Sequence, residues 1–186
     1  MRCLASTTQG YRVISYTRTT MLCEVTRELG FCLIYKNASS SVLTARPMRP
    51  VTPAEFLALP LRVALLREPH DRFESTWRDY RQRRDVRITF GEFAERALAG
   101  GFPFNTPELA PQVDYCALAN HFIRWDFAEL AEVLGVAVPH VNRMEREPVI
   151  WPAAIRETFA ERYAADLELW EGCPLPTHTA AESGGD

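Results

Sequence analysis

The sequence FCLIYKNASSS, at residues 31–41, joins an apolar run directly to a polar loop. The continuous apolar run Phe31–Tyr35 predicts a short strand that is buried on both faces, as in a parallel sheet. The loop Lys36–Ser41 would therefore leave the carboxyl end of a buried strand. Because the ligands of open α/β sheets bind beyond these ends, the stretch predicts both a fold class and a candidate site.

Two further apolar runs repeat this arrangement. Val63–Leu66 predicts a second buried strand, and His121–Trp125 predicts a third. Helices are predicted from Thr52, from Asp71, over Thr89–Leu98, over Phe127–Leu134 with Gly135 after its end, and over Trp151–Trp170. Strands that alternate with helices predict a three-layer α/β domain, with a central, mainly parallel sheet flanked by helices.

The length of 186 residues fits one domain that can bury a sizeable core. We expect a single domain over residues 1–175 and a mobile tail over residues 176–186, which are mostly small and polar. The five cysteines form no CxxC pair. This spacing argues against a zinc site or a disulfide framework and favours reduced thiols.

Charge and hydropathy exclude several classes of protein. A formal net charge of -3 argues against a protein that coats nucleic acid non-specifically. No apolar run approaches the roughly 18 residues that cross a bilayer. The first eight residues lack the apolar core of a secretory signal. We therefore expect a cytoplasmic protein without a nucleic-acid or membrane partner.

Lys36 is the only lysine among the 21 basic residues of the chain. It is followed by the small and polar residues Asn37, Ala38, Ser39, Ser40 and Ser41. Small residues let the backbone approach a phosphate or sulfate, N–H groups and hydroxyls donate to its oxygens, and lysine adds a compact charge. The loop thus fits an anion site. The alternative is a surface lysine in a turn where Ser39 or Ser40 caps a helix.

A second candidate element, REPHDRFES at residues 67–75, follows the predicted strand 63–66. Arg67 stands at the strand exit and Ser75 in the first turns of the next helix, so a guanidinium and a hydroxyl can converge on one phosphate. The alternative is that Arg67 pairs with Glu68 or Asp71. The sequence contains neither a Walker A loop nor GxGxxG, which weighs against a kinase and a dehydrogenase.

Taken together, the two elements resemble the PAPS-dependent sulfotransferases, where PAPS is 3′-phosphoadenosine 5′-phosphosulfate. The shared order is a strand, a Lys-x-small-Ser loop and a helix, then a strand and an Arg-x-Pro-x-x-Arg-Phe-x-Ser-x-x-Arg helix. The sequence is most similar to the branch that includes the carbohydrate sulfotransferases. The resemblance implies a P-loop-like domain in which Lys36–Ser41 bind the 5′-phosphosulfate, and Arg67 and Ser75 bind the 3′-phosphate. It also implies that PAPS is the donor, that PAP is released and that no metal is needed.

The resemblance covers about residues 30–170 and keeps the family's order. Its downstream segments are Pro111–Tyr115, Phe122–Leu130, Pro139–Arg143 and Arg162–Asp166. Two positions depart from the family: Tyr35 stands where relatives often have proline, and Ala38 where they often have glycine. These departures bear on the acceptor more than on donor binding.

The acceptor hydroxyl or amine needs a general base. The resemblance nominates Glu108, which stands where many relatives have histidine; the alternative is an acid that stabilises a helix N-terminus. His70, beside the second element, is the runner-up, and its alternative is a turn residue packed near Arg72. Lys36 would stabilise the charge that develops on the bridging oxygen as PAP leaves.

Three functions stay open at this point. The first is a sulfotransferase acting on a small molecule or saccharide, the second a small nucleotide-dependent phosphotransferase, and the third a non-catalytic PAP-binding module. Glu108 in place of histidine favours the third. The basic stretch 78–87 either lines the cleft or forms a solvated helix face, and Phe73, Trp77 and Tyr80 are predicted to face the core.

Overall fold

The computed structural model describes residues 21–83, 87–100, 106–140 and 148–174, apart from the Arg83 side chain. The expected tail over 176–186 lies outside these residues. The strands are β1 (Met21–Thr26), β2 (Leu29–Leu33), β3 (Arg49–Pro50), β4 (Leu61–Leu66) and β5 (His121–Arg124). The α-helices are α1 (Ser39–Ala45), α2 (Pro53–Leu57), α3 (Pro69–Arg83), α4 (Phe90–Leu98), α5 (Val113–Cys116), α6 (Phe127–Leu134), α7 (Ala153–Arg162) and α8 (Ala164–Gly172). A 3-10 helix spans Pro107–Leu109.

The strands form one five-stranded sheet in the order β3-β1-β2-β4-β5. The β2–β4 and β4–β5 pairs are parallel, whereas β1 pairs antiparallel with both β2 and β3. The α/β fold class is therefore confirmed, but the sheet is mixed rather than mainly parallel. Neither β1 nor β3 was predicted from the sequence, because a register shift between Glu24 and Thr26 interrupts the alternation in β1 and because β3 has only two residues.

Both faces of the central strands are covered by helices. The side chains of Phe31, Val63, Leu65 and Ile123 share one apolar cluster with α1 and α6. Their neighbours Cys32, Ala64 and Leu66 share another with α2, α5 and the segment after α8. Because successive side chains of a strand point to opposite faces, the continuous apolar runs read from the sequence match strands buried on both sides.

Gly30 allows α2 to pack closely on the sheet. A Cβ atom at this position would lie 2.5 Å from a ring carbon of Phe56 and 2.7 Å from a methyl of Leu59. The helix starts as predicted, because Thr52 and Glu55 cap each other reciprocally. The β2 strand and α2 therefore fix each other's position at a glycine.

A third apolar cluster joins α3, α4 and α7. It contains Phe73, Trp77 and Tyr80, all buried as predicted. The predicted helix 151–170 is wrong as a single element, because α7 and α8 are separated at Tyr163, with φ −107° and ψ 21°. The Tyr163 ring stacks 4.5 Å from that of Phe159, and its hydroxyl donates to the carbonyl of Leu109. This tertiary contact holds the break.

Candidate functional site

The carboxyl ends of β2, β4 and β5 meet at one edge of the sheet, because these three strands are mutually parallel. They continue into residues 34–38, into Arg67 and into Trp125 respectively. Arg67 contacts both neighbouring segments. Its Nη1 donates to the carbonyl oxygen of Lys36 at 3.0 Å, and its guanidinium carbon lies 4.8 Å from the centre of the Trp125 ring. The two polar elements singled out in the sequence therefore meet at this edge.

The lysine loop has an unusual backbone. Lys36 and Ala38 both adopt left-handed conformations, with φ of 67° and 56°. Such a conformation costs a residue other than glycine about 1–3 kcal/mol. The Asn37 N–H, which donates to the carbonyl of Ile34 at 3.1 Å, and the Arg67 guanidinium help to hold it. Contacts with neighbouring residues therefore hold the loop in this strained conformation, as is usual for strained segments at functional sites.

The three serines belong to α1 rather than to the loop. The helix begins at Ser39, and its N-cap residue is Ala38, which makes no side-chain capping bond. The alternative in which Ser39 or Ser40 caps the helix is therefore wrong. Ser39 is half-buried, Ser40 is exposed, and Ser41 is buried.

Gln112 joins the lysine loop to the Arg67 segment. Its Oε1 accepts from Asn37 Nδ2 at 2.5 Å and from the Arg67 N–H at 3.0 Å, and its Nε2 donates to the Arg67 carbonyl at 2.9 Å. Asn37 Nδ2 also donates to the carbonyl of Leu65 at 2.8 Å. Asn37 and Gln112 are both buried, so the two bonds of the Asn37 amide lie away from competing water, while the bonds to the Arg67 backbone are part-buried.

The Lys36 side chain reaches α3. Its Nζ lies 3.2 Å from Asp79 Oδ1. Asp79 follows Ser75 by four residues, so the two occupy the same face of the helix, and the Ser75 side chain is buried. The structure therefore brings the lysine loop to the helix that carries the predicted 3′-phosphate serine.

A second buried network supports the loop from behind. Arg72 donates from Nε to the Tyr35 carbonyl at 3.1 Å and from Nη1 to the Ala110 carbonyl at 2.8 Å. Burial lowers the pKa of its guanidinium. Asp166 accepts from the Gln112 and Val113 N–H groups at 2.8 and 3.0 Å, and burial raises the pKa of its carboxyl.

Of the two candidate bases, His70 lies in the first turn of α3, and Glu108 lies in the 3-10 helix next to α3. His70 Nδ1 lies 2.7 Å from Glu68 Oε1, and its ring centre lies 4.6 Å from that of Phe159. Burial alone would raise the pKa of the Glu68 carboxyl, but hydrogen bonds from His70 and the Asp71 N–H outweigh it and lower that pKa. Glu108 lies in the 3-10 helix, where its carbonyl accepts from Thr76 Oγ1 at 3.5 Å. The role of base stays a prediction for both residues.

Part of the basic stretch is engaged within α3 itself. Arg78 Nη2 lies 2.7 Å from Glu74 Oε2, and both side chains are largely buried. The Arg81 guanidinium lies over the Trp77 ring, 5.1 Å from its centre. Arg87 is exposed, while Arg84 and the Arg83 side chain lie outside the described residues. Arg78 and Arg81 therefore have contacts within their own helix.

Asp79 and the linking role of Gln112 were not predicted from the sequence. The available signal for Asp79 was its spacing of four residues from Ser75, which places both on one helix face. No local pattern identifies the partners of Gln112, since Asn37 and Arg67 are distant in the chain.

The fold and the site together define an α/β protein in which two basic residues, Lys36 and Arg67, lie at the carboxyl ends of the parallel strands. No protein-family model, curated protein or solved structure matches the chain. Within the described residues, no cluster of three or more His, Cys, Asp or Glu side chains could hold a metal ion. None of the described helices is both long and apolar enough to cross a membrane.

Proposed function

We propose that this protein is a PAPS-dependent sulfotransferase that transfers the sulfuryl group to a hydroxyl or amine of a small-molecule or saccharide acceptor. The observation that carries the proposal is the contact between Arg67 and the carbonyl of Lys36. It joins a lysine loop and an arginine–serine element, to which the family resemblance assigns the 5′- and 3′-phosphates of one donor. The parallel β2–β4–β5 half of the sheet also fits the P-loop-like domain that the proposal implies.

The charged and hydrogen-bonding groups of the site suit a polyanion. Lys36 and Arg67 supply two cations, and Ser75 supplies a hydroxyl in the first half of α3. Charge-assisted hydrogen bonds to phosphate oxygens are stronger than neutral ones, and partial burial strengthens them further. Ala38, the N-cap residue of α1, makes no side-chain capping bond, and a small residue at this position suits a close approach of an anion to the loop backbone.

Sulfuryl transfer needs in-line attack, positioning and charge stabilisation. The acceptor oxygen or nitrogen forms a bond to sulfur as the bond from sulfur to the bridging phosphate oxygen breaks. PAP leaves with that electron pair, and a base removes the acceptor proton. Lys36 would donate to the bridging oxygen, while Glu108 is the first candidate for the base and His70 the second.

Calorimetry with PAP tests donor binding. We expect the wild type to bind PAP, and Lys36→Ala or Arg67→Ala to weaken binding about tenfold or more, because a hydrogen bond to a charged group contributes about 1.5–3 kcal/mol. Arg27→Ala is the matched control: Arg27 is exposed in the turn before β2, at the opposite edge of the sheet, and should not change the Kd. A wild type that does not bind PAP contradicts the proposal.

Incubation with labelled PAPS and a panel of saccharide and phenolic acceptors tests transfer. Glu108→Gln should abolish transfer and leave PAP binding intact. PAP binding without transfer to any acceptor would favour the non-catalytic module, which Glu108 in place of histidine supports. Binding of Mg-ATP instead of PAP would favour the phosphotransferase.

A further inference from the structure

The candidate donor site contains a carboxylate, which is unexpected where a polyanion should bind. Asp79 Oδ1 lies 3.2 Å from Lys36 Nζ, and the two side chains are only 10% and 14% exposed. Removing both charges from water is costly unless their attraction offsets it. The pair is therefore better defined than an exposed ion pair, whose long side chains exchange readily between partners and water.

Lys36 is held at both ends. Its carbonyl accepts from Arg67 Nη1 at 3.0 Å, and its ammonium meets Asp79 on α3. A free lysine side chain samples many rotamers, so two fixed ends remove much of its freedom before any ligand arrives. An ammonium has three donor hydrogens, so it can donate to Asp79 and to a ligand at the same time.

We infer that Asp79 is a positioning residue, which holds the Lys36 ammonium at the donor loop so that it can donate to the bridging oxygen of the sulfate donor. Its role in transfer rests on the proposed function, whereas the orientation of Lys36 by Asp79 does not. Asp79 acts through Lys36 and needs no contact with the reacting atoms.

This role has a distinct kinetic signature. A carboxylate beside the donor repels the donor's phosphates, so removing its charge should not weaken donor binding. Turnover should fall about tenfold or more, because a misplaced catalytic group can lose up to about a hundredfold in rate. A merely structural residue would instead affect stability and binding together.

The first test follows the reactivity of Lys36. Because Lys36 is the only lysine, peptide mass spectrometry can follow its acylation by acetic anhydride without other lysines interfering. Asp79→Asn should raise the acylation rate about threefold to tenfold, since the amide no longer holds the amine in a shielded ion pair against α3. Asp79→Glu, which keeps the charge, should restore part of the slow rate.

The matched control is Glu95→Gln, which removes the same charge from an exposed position on α4 and should leave the acylation rate unchanged. Equal rates in the wild type and Asp79→Asn would overturn the inference, whatever the result with PAP.

The second test is a double-mutant cycle on transfer from PAPS. Asp79→Asn should lower kcat with the donor KM unchanged or lower, and should have no further effect on kcat in the Lys36→Ala background. Equal fold-losses in both backgrounds would overturn the positioning role. A wild type that binds no PAP would overturn the proposed function and the role in transfer, while fast acylation of Asp79→Asn would still support Asp79 as the residue that holds Lys36.

Discussion

At the scale of single residues, Gln112 defines much of the geometry of the candidate site. Its side-chain amide bonds to Asn37 and to both backbone groups of Arg67, and its own N–H donates to Asp166. It therefore connects the β2 loop, the β4 exit and α8. Because the amide is buried, water cannot replace a lost bond without entering the protein.

We predict that Gln112→Ala lowers the free energy of unfolding by about 2 kcal/mol or more. Truncation removes the bonds to the buried Asn37 amide and to the half-buried Arg67 backbone, at about 1–3 kcal/mol for each group left unsatisfied. The same variant should weaken PAP binding, because the two loops lose their link. Urea denaturation followed by tryptophan fluorescence measures the first effect, and calorimetry measures the second.

Gln82→Ala is the matched control for this prediction. Gln82 is exposed on α3, so its truncation should change the free energy of unfolding by less than about 0.5 kcal/mol. Equal losses in the two variants would show that the Gln112 contacts contribute no special stability.

At the scale of elements, the helix starts depend on short capping signals. Thr89 accepts from the Glu92 N–H, and the Glu92 carboxylate accepts from the Thr89 N–H, in a complete capping box. Hydrogen bonds from the Thr89 hydroxyl and from the Thr89 N–H lower the pKa of the Glu92 carboxyl. The helix that they start, α4, contributes Phe90 and Phe93 to the cluster it shares with α3 and α7.

We predict that Thr89→Ala lowers the free energy of unfolding by about 1 kcal/mol, the usual contribution of an N-cap side chain. Thermal or urea denaturation measures the change. Thr158→Ala is the control, because the Thr158 hydroxyl only bonds back to the carbonyl of Ala154 within α7, which adds little to helix stability. A loss at Thr158 as large as that at Thr89 would argue against the cap.

Element boundaries were predictable where the chain itself carries the signal. The start at Thr52 and the end of α6 at Gly135, which adopts a left-handed φ of 66°, follow from local chemistry. The break between α7 and α8 was not predictable, because no glycine or proline marks it. It depends on Tyr163, whose contacts with Phe159 and Leu109 form only in the folded protein.

At the scale of the whole molecule, the described cysteines report on the integrity of both faces of the sheet. Cys23, Cys32, Cys116 and Cys173 are free and buried. Burial raises the pKa of all four thiols, that of Cys116 to about 12. A buried, protonated thiol is a poor nucleophile.

We predict that these thiols react with a disulfide reagent only on unfolding. A Cys3→Ser variant, which restricts the signal to the four described thiols, should react slowly in buffer and fully in concentrated urea. The raised pKa values also set the direction in which stability changes with pH. Above the ordinary thiol pKa of 9.0, the unfolded chain releases protons that the native protein keeps. The free energy of unfolding should therefore fall as the pH rises past that value. Rapid labelling of the native protein would contradict this description of the core.

The sequence by itself determined the buried strands that end at Lys36 and Arg67, and hence the α/β class and the edge where the candidate site lies. Those features follow from local apolar periodicity and from strand direction. Only the tertiary structure decided the antiparallel addition of β1, the link through Gln112 and the pairing of Lys36 with Asp79. The physical reason for the polar links is that they join residues far apart in the chain, so no local pattern records which partner each buried polar group finds. For β1, which lies next to β2 in the chain, the register shift between Glu24 and Thr26 interrupts the alternation that would have marked a strand.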